Sequence, residues 1–246
     1  MFYPYGDDRL RCSEMLSDSD IRFVVNSKML FDHLVEGIEP LTNIRGQGMW
    51  FEPAFPAFTA KKLVDRPISG KRQFFFYARP HNLRNLYWRG LEAVAACIEE
   101  NILSPDEWDF HFVGRDLTNF QLPRGVKPII AQNLPWPDYV RLVDSIDVGL
   151  SLMDTPHPSY PPIDLAASGA VVVTNRHGRK TSLAQYSENI LSVEPSIEGL
   201  RLGIIDAVEL ATDQERRKAN FARSQINNDW EITFAPVLEQ LFPAQK

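Results

Sequence analysis

Short apolar runs alternate along the chain with longer stretches in which apolar positions recur every three or four residues. Residues 21–25 (Ile-Arg-Phe-Val-Val) read as a strand. Residues 28–35 follow with Met29, Leu30, Leu34 and Val35 near one helical face, Asn26 or Ser27 as the cap and Gly37 as the stop. Residues 43–58 hold Gly46, Gly48, Pro53 and Pro56 and read as a strand fragment and a linker. A denser pattern begins near Arg72. Residues 73–78 (Gln-Phe-Phe-Phe-Tyr-Ala) form a buried strand, and residues 79–85 a basic loop. A helix over residues 86–101 has Leu91, Val94, Ala95 and Ile98 at helical spacing. Residues 109–114 and 126–131 are further strands, the latter at an edge because of Pro128. Pro135 or Pro137 opens a helix that runs to Ile146.

The centre of the pattern is residues 147–175. An apolar run, 147–152, leads into Met153-Asp154-Thr155-Pro156-His157-Pro158-Ser159-Tyr160-Pro161-Pro162, and a second apolar run, 170–174, follows. Between them Ser159 is a candidate N-cap, Pro161 and Pro162 suit a first helical turn, Asp164 lies one turn in, and Gly169 marks the stop. This is a βαβ unit, whose first loop is a usual ligand site, and unbonded N–H groups at such a helix start favour an anion such as phosphate. A basic loop (176–180), a short helix, a strand near 190–193, a helix over 196–211 and two helices over 213–241 complete the chain. By itself the basic loop reads as solvated surface.

Strands alternating with helices predict an α/β fold: a Rossmann-like sheet of about six parallel strands with helices on both faces. Right-handed crossovers place the loops after successive strands on one rim. That rim gathers Arg79, Arg84, Gly114, Gln132, Asn133, the loop 157–159 and the loop 176–180, a setting for a ligand with more than one phosphate. Residues 1–60 hold only one βαβ remnant and a connection, too little for a domain of their own.

Composition narrows the function. The chain has 246 residues, 44% hydrophobic and 24% charged, with net charge −6. That balance argues against general nucleic-acid binding. Two cysteines, Cys12 and Cys97, and five histidines suggest neither a disulfide framework nor a metal cluster. The first residues lack the pattern of a signal peptide, and no run is long enough to span a membrane, so a cytoplasmic protein is expected. Peripheral attachment at the inner face of the membrane stays open. The chain has no G-x-G-x-x-G, P-loop, G-x-S-x-G or H-E-x-x-H motif.

The order of a strand ending in Arg79, a second basic residue at Arg84, Phe112-Val113-Gly114, residues 147–153, a proline-rich loop, an acidic residue in a short helix and Gly169-Ala170-Val171-Val172-Val173-Thr174-Asn175 resembles the C-terminal, nucleotide-sugar-binding half of GT-B glycosyltransferases of the GT4 type. Tyr77-Ala78-Arg79-Pro80 with Arg84-Asn85, and Ser151-Leu152-Met153 with residues 157–162, narrow it to bacterial rhamnosyltransferases that use dTDP-rhamnose. The resemblance covers about residues 70–242. It implies transfer of a hexose or deoxyhexose, rhamnose in the narrower reading, from a nucleotide diphosphate sugar to a surface-polysaccharide acceptor, retaining and without a metal or other cofactor.

The resemblance also implies roles. Arg79 and Arg84, with Ser159 and Tyr160, would hold the diphosphate. Arg84 stands where many members have Lys, and its fork preserves phosphate binding. Asp164 would hold the ribose, in place of the usual Glu. His157, Gly114, Lys127 and Asn133 are candidates for sugar or base contacts. A second Glu usual in the family is replaced by Pro156, and no catalytic residue is assigned. Residues 1–60 would be the remnant of an acceptor-side domain with its linker, residues 61–228 the nucleotide-sugar domain, and residues 229–246 a helix crossing back. The acceptor side would then come in part from a separate domain or chain. Two rivals remain: a non-catalytic nucleotide-sugar-binding or protein-interaction module, and a nucleotide-sugar epimerase of similar architecture, for which no clear acid/base set is visible.

Overall fold

In a computed structural model, described for residues 22–36, 46, 48–60, 63 and 70–243, the chain divides into two compact units. The first comprises residues 1–54 and 229–246, and the second residues 55–228. The expectations at Cys12, Gly37 and residues 1–20 lie outside the described residues.

In the first unit β1 (Phe23–Asn26) and β2 (Gly48–Phe51) pair in parallel, joined through α1 (Lys28–Glu36). Ser27 caps α1, its Oγ accepting the Leu30 N–H at 3.3 Å. The helix α7 (Trp230–Leu241) packs on β2, with Phe51 edge-on to Phe234 at 5.0 Å. Asp229 caps α7 by accepting the N–H groups of Glu231 and Ile232.

The second unit is built on one six-stranded sheet. Its strands are β3 (Arg72–Ala78), β4 (Trp108–Gly114), β5 (Ile129–Gln132), β6 (Val148–Leu150), β7 (Val171–Asn175) and β8 (Ile190–Val193). The order is β5-β4-β3-β6-β7-β8, and every pairing is parallel. Helices α2 (Tyr87–Glu99), α3 (Trp136–Val143), α4 (Pro161–Ala167), α5 (Ile197–Thr212) and α6 (Gln214–Ala222) intervene.

Strand alternation explains why both faces are covered. Phe74, Phe76, Phe110, Phe112, Val148, Leu150, Val171 and Val173 share one core with Ala93, Val94 and Ile98 of α2 and Leu200, Ile204 and Ala207 of α5. Phe75, Gly149 and Val172 alternate with them and are turned to the other side. There Gly149 leaves room for Leu165 of α4, whose Cδ1 would lie 2.6 Å from an added Cβ. Parallel strands covered on both faces are apolar throughout, which is why these runs stand out in the sequence.

Three local expectations need correction. The helix expected to reach Ile146 ends at Val143. The strand expected from Val126 begins at Ile129, past Pro128, although it is an edge strand as Pro128 requires. No helix lies between the loop 176–180 and β8. Residues 184–186 and 188–189 are turns, and Leu183 and Tyr186 plug the core from them.

Candidate functional site

The strand order reverses direction at β3 and β6. Successive strands run outward from β3 through β4 to β5, and from β6 through β7 to β8. The crevice beyond the carboxyl ends of such a central pair is where open α/β sheets bind ligands. Here it is walled by the loop after β3 and the loop after β6.

After β3, Asn82 N–H returns to the Arg79 carbonyl at 3.1 Å, a 3₁₀ turn spans Leu83–Asn85, and Leu86 takes a left-handed φ of 46° before α2 starts. This tight path places Arg79 and Arg84 half-buried at the crevice. Among the described residues neither guanidinium has an ion pair or a side-chain hydrogen bond. Gly114 closes β4 beside them. A Cβ there would overlap the Ala78 carbonyl oxygen, so only glycine lets the ends of β3 and β4 approach this closely.

The exit of β6 is held from both sides. Asn85 Nδ2 donates to the Leu152 carbonyl at 3.0 Å, and Asp154 N–H donates to the Arg84 carbonyl at 2.7 Å. From the other side Asn175 Oδ1 accepts Met153 N–H at 2.7 Å, and Asn175 Nδ2 donates to the Met153 carbonyl at 3.2 Å. Lys180 Nζ donates to the same carbonyl at 2.6 Å. His177 and Lys180 exchange backbone hydrogen bonds across a turn at Gly178 (φ 51°), and His177 Nδ1 meets Asp154 Oδ1 at 2.8 Å.

Lys180 corrects the expectation of a solvated basic loop. It is 1% exposed, and burial pushes its pKa down to about 8, opposed by Asp154. No carboxylate forms a salt bridge with it among the described residues. No sequence pattern signals this, because its partner is a carbonyl oxygen contributed by a distant loop.

His157 sits in the proline-rich loop with its pKa pushed down to about 4, by burial first and then by Lys180. Its Nδ1 accepts the Ser159 N–H at 2.9 Å, which leaves the proton of the neutral ring on Nε2. That Nε2 is buried without a hydrogen-bond partner among the described residues, as are Asn85 Oδ1 and Ser151 Oγ. The ring lies 5.7 Å from that of Tyr160, which in turn lies 5.9 Å from Phe55.

The start of α4 differs from expectation. Ser159 does not cap it. Tyr160 holds the cap position with no side-chain cap bond, and Ser159 is buried at φ 73°. The helix has seven residues, and its first two, Pro161 and Pro162, have no N–H. The next two N–H groups, of Ile163 and Asp164, both donate to the Tyr160 carbonyl at 2.9 Å. The expected row of unbonded N–H donors is therefore missing, and positive charge at this crevice comes from side chains. Gly169 does end the helix, with φ 86°.

Asp164 is 5% exposed, with Oδ2 accepting the Tyr139 hydroxyl at 2.9 Å. Burial pushes its pKa up to about 6, against the pull of that hydrogen bond. Tyr139 stacks on the exposed Trp136 at 5.6 Å, a link to the β5–α3 side that the sequence did not signal. Asn133 lies exposed after β5 at φ 52°. Lys127 does not join these residues. It precedes β5, at the amino end of the sheet, whereas Gly114 and Asn133 follow the carboxyl ends of β4 and β5. Among the described residues no three His, Cys, Asp or Glu side chains converge as metal ligands.

This doubly wound parallel sheet, with its crevice at β3 and β6, has glycosyltransferases of the GT-B fold among its structural neighbours. A glycosyltransferase from Rickettsia africae ESF-5 has a TM-score of 0.65 at 14% identity, covering 99% of this chain and 69% of that one. Anabaena Alr3699/HepE, solved with UDP and glucose, has a TM-score of 0.65 at 14% identity, covering 96% of this chain and 67% of that one. These likenesses show the fold. Residues 72–205 match the family described as WsaF, C-terminal domain, and the chain belongs to that family. It is also 32% identical over 224 residues to the O-antigen biosynthesis protein RfbC of Myxococcus xanthus, covering 89% of this chain and 16% of that much longer protein.

Proposed function

We propose that the second unit binds a nucleotide diphosphate sugar and that the chain supplies the donor side of a glycosyltransferase acting on a surface polysaccharide. One observation carries this reading: Arg79 and Arg84, without a carboxylate partner among the described residues, stand at the switch-point crevice of the sheet. Each charge-assisted hydrogen bond to a phosphate contributes about 1.5–3 kcal/mol. The same groups would neutralise the departing diphosphate as the anomeric bond breaks.

Within this reading His157 Nε2–H is a fixed neutral donor to a diphosphate or sugar oxygen, and Asp164 accepts from a ribose hydroxyl. The name of the Myxococcus relative favours a surface glycan as acceptor. The narrower proposals are dTDP-rhamnose as donor, retention at the anomeric carbon, a GT4-type mechanism, and an acceptor site completed by a further domain or chain. No helix among the described residues is long and apolar enough to cross a membrane. We place the reaction on the cytoplasmic side, where nucleotide sugars would be at hand.

Incubation with dTDP-rhamnose or UDP-glucose and an extracted glycan acceptor tests this directly. The expected result is release of nucleoside diphosphate by transfer or hydrolysis, lost in Arg79→Ala. Binding without any release would favour the non-catalytic module, and an altered sugar in the product would identify an epimerase.

A further inference from the structure

We propose that Lys180, on the loop between β7 and β8, is a third cation of the diphosphate site, acting from beneath the β6 exit loop rather than from the crevice wall. The inference rests on the donor-site reading above.

The geometry centres on one peptide unit, Met153–Asp154. Its carbonyl accepts from Lys180 Nζ, and its N–H donates to the Arg84 carbonyl. Lys180 and the Arg84 loop therefore grip opposite sides of the same peptide, at the mouth of the switch-point crevice. An ammonium 1% exposed, bonded to a carbonyl and without a salt-bridged carboxylate among the described residues, is costly to bury. A fold that accepts this cost gains when an anion arrives above the loop, because a buried charge is poorly screened. The start of α4 does not compete for this role, since its first residues are prolines and its next N–H groups are bonded to Tyr160. His157, on the loop after β6, is held neutral near Lys180 and adds only a dipole.

Lys180 is a positioning residue in this account. It touches the Met153 carbonyl and acts on the donor through that loop and through space. Burial brings its titration near pH 8, and coupling of that titration to diphosphate binding is a signature that a purely structural lysine would lack. Binding of an anion favours the charged form, so a fraction of a proton is taken up when the diphosphate binds near pH 8. The charged or titratable neighbours are Asp154 from the β6 exit, His157 from the proline-rich loop and His177 from the same hairpin.

The test is calorimetric titration of the whole chain with dTDP and UDP at pH 8, in two buffers of different ionisation enthalpy. The wild type is expected to take up protons on binding. Lys180→Met, checked for folding by its melting curve, is expected to bind at least about tenfold more weakly and without the uptake. Lys180→Arg is expected to recover affinity but not the uptake. Loss of the uptake in Lys180→Met separates Lys180 from Asp154, His157 and His177. Binding with no proton uptake in the wild type, or an unchanged uptake in Lys180→Met, overturns the proposal while leaving the donor-site reading intact. If neither diphosphate binds the wild type, it is the donor-site reading that fails.

Discussion

Asp164 is ionised in a place that disfavours its charge. Its pKa is pushed up to about 6, against an ordinary value of about 3.9. Between these values the folded chain holds a proton that the unfolded chain has lost, so this group's contribution to stability falls as pH rises from about 4 to about 6. Asp164→Asn keeps an acceptor for the Tyr139 hydroxyl and removes the titration. Denaturant melts should show the variant gaining on the wild type across that range, the difference between them changing by about 2–3 kcal/mol in its favour. A gap that does not change with pH contradicts this. His157 works in the opposite direction: its pKa is lowered to about 4, so its contribution rises with pH over much of the same window. The wild-type profile is thus a poor readout, and the difference between variant and wild type is the quantity to follow. If Asp164 holds a ribose as proposed, the stabilised variant also binds nucleotide more weakly. Neither environment was legible in the sequence. Asp164 was readable as a first-turn carboxylate, but Tyr139, 25 positions away in sequence, was not.

At the scale of elements, the exit of β6 depends on Asn175. This one side chain bonds both the N–H and the carbonyl of Met153, and also the Arg176 carbonyl at 3.0 Å. Asn175→Ala removes the partner of the Met153 N–H, at about 1–3 kcal/mol if it is left unsatisfied, while the Met153 carbonyl keeps Lys180. The expected outcome is a lower unfolding midpoint together with faster hydrogen exchange at the Met153 amide. Unchanged protection of that amide would show that the loop is held by other means. The strands themselves were readable, because buried parallel strands are apolar without interruption. The helices α2 and α5 were readable from their spacing. The start of α4 was misread because Ser159 has the chemistry of a cap, yet its φ of 73° and the turn of the prolines hand that position to Tyr160. The stretch before β8 was misread because Leu183 and Tyr186 have a helix-like spacing while each is buried from a turn.

At the scale of the molecule, the order β5-β4-β3-β6-β7-β8 creates the site, and short apolar strands carry no label for their neighbours. The sequence could place Arg79, Arg84 and the proline-rich loop on a common rim. It could not say that β3 and β6 are adjacent at the sheet's centre, which makes their two loops the walls of one crevice. Nor could it separate Lys127 from that rim, since the end of the sheet it occupies depends on where β5 begins. A chain of net charge −6 that keeps cations without carboxylate partners among the described residues at this crevice has the electrostatics of an anion site. The most direct test is calorimetric titration with dTDP, UDP, GDP and ADP, on the wild type and on Arg79→Ala. One diphosphate is expected to bind with a dissociation constant on the order of micromolar, and the substitution to weaken it at least about tenfold. Failure of all four to bind, or equal binding by Arg79→Ala, would contradict a donor site at this crevice.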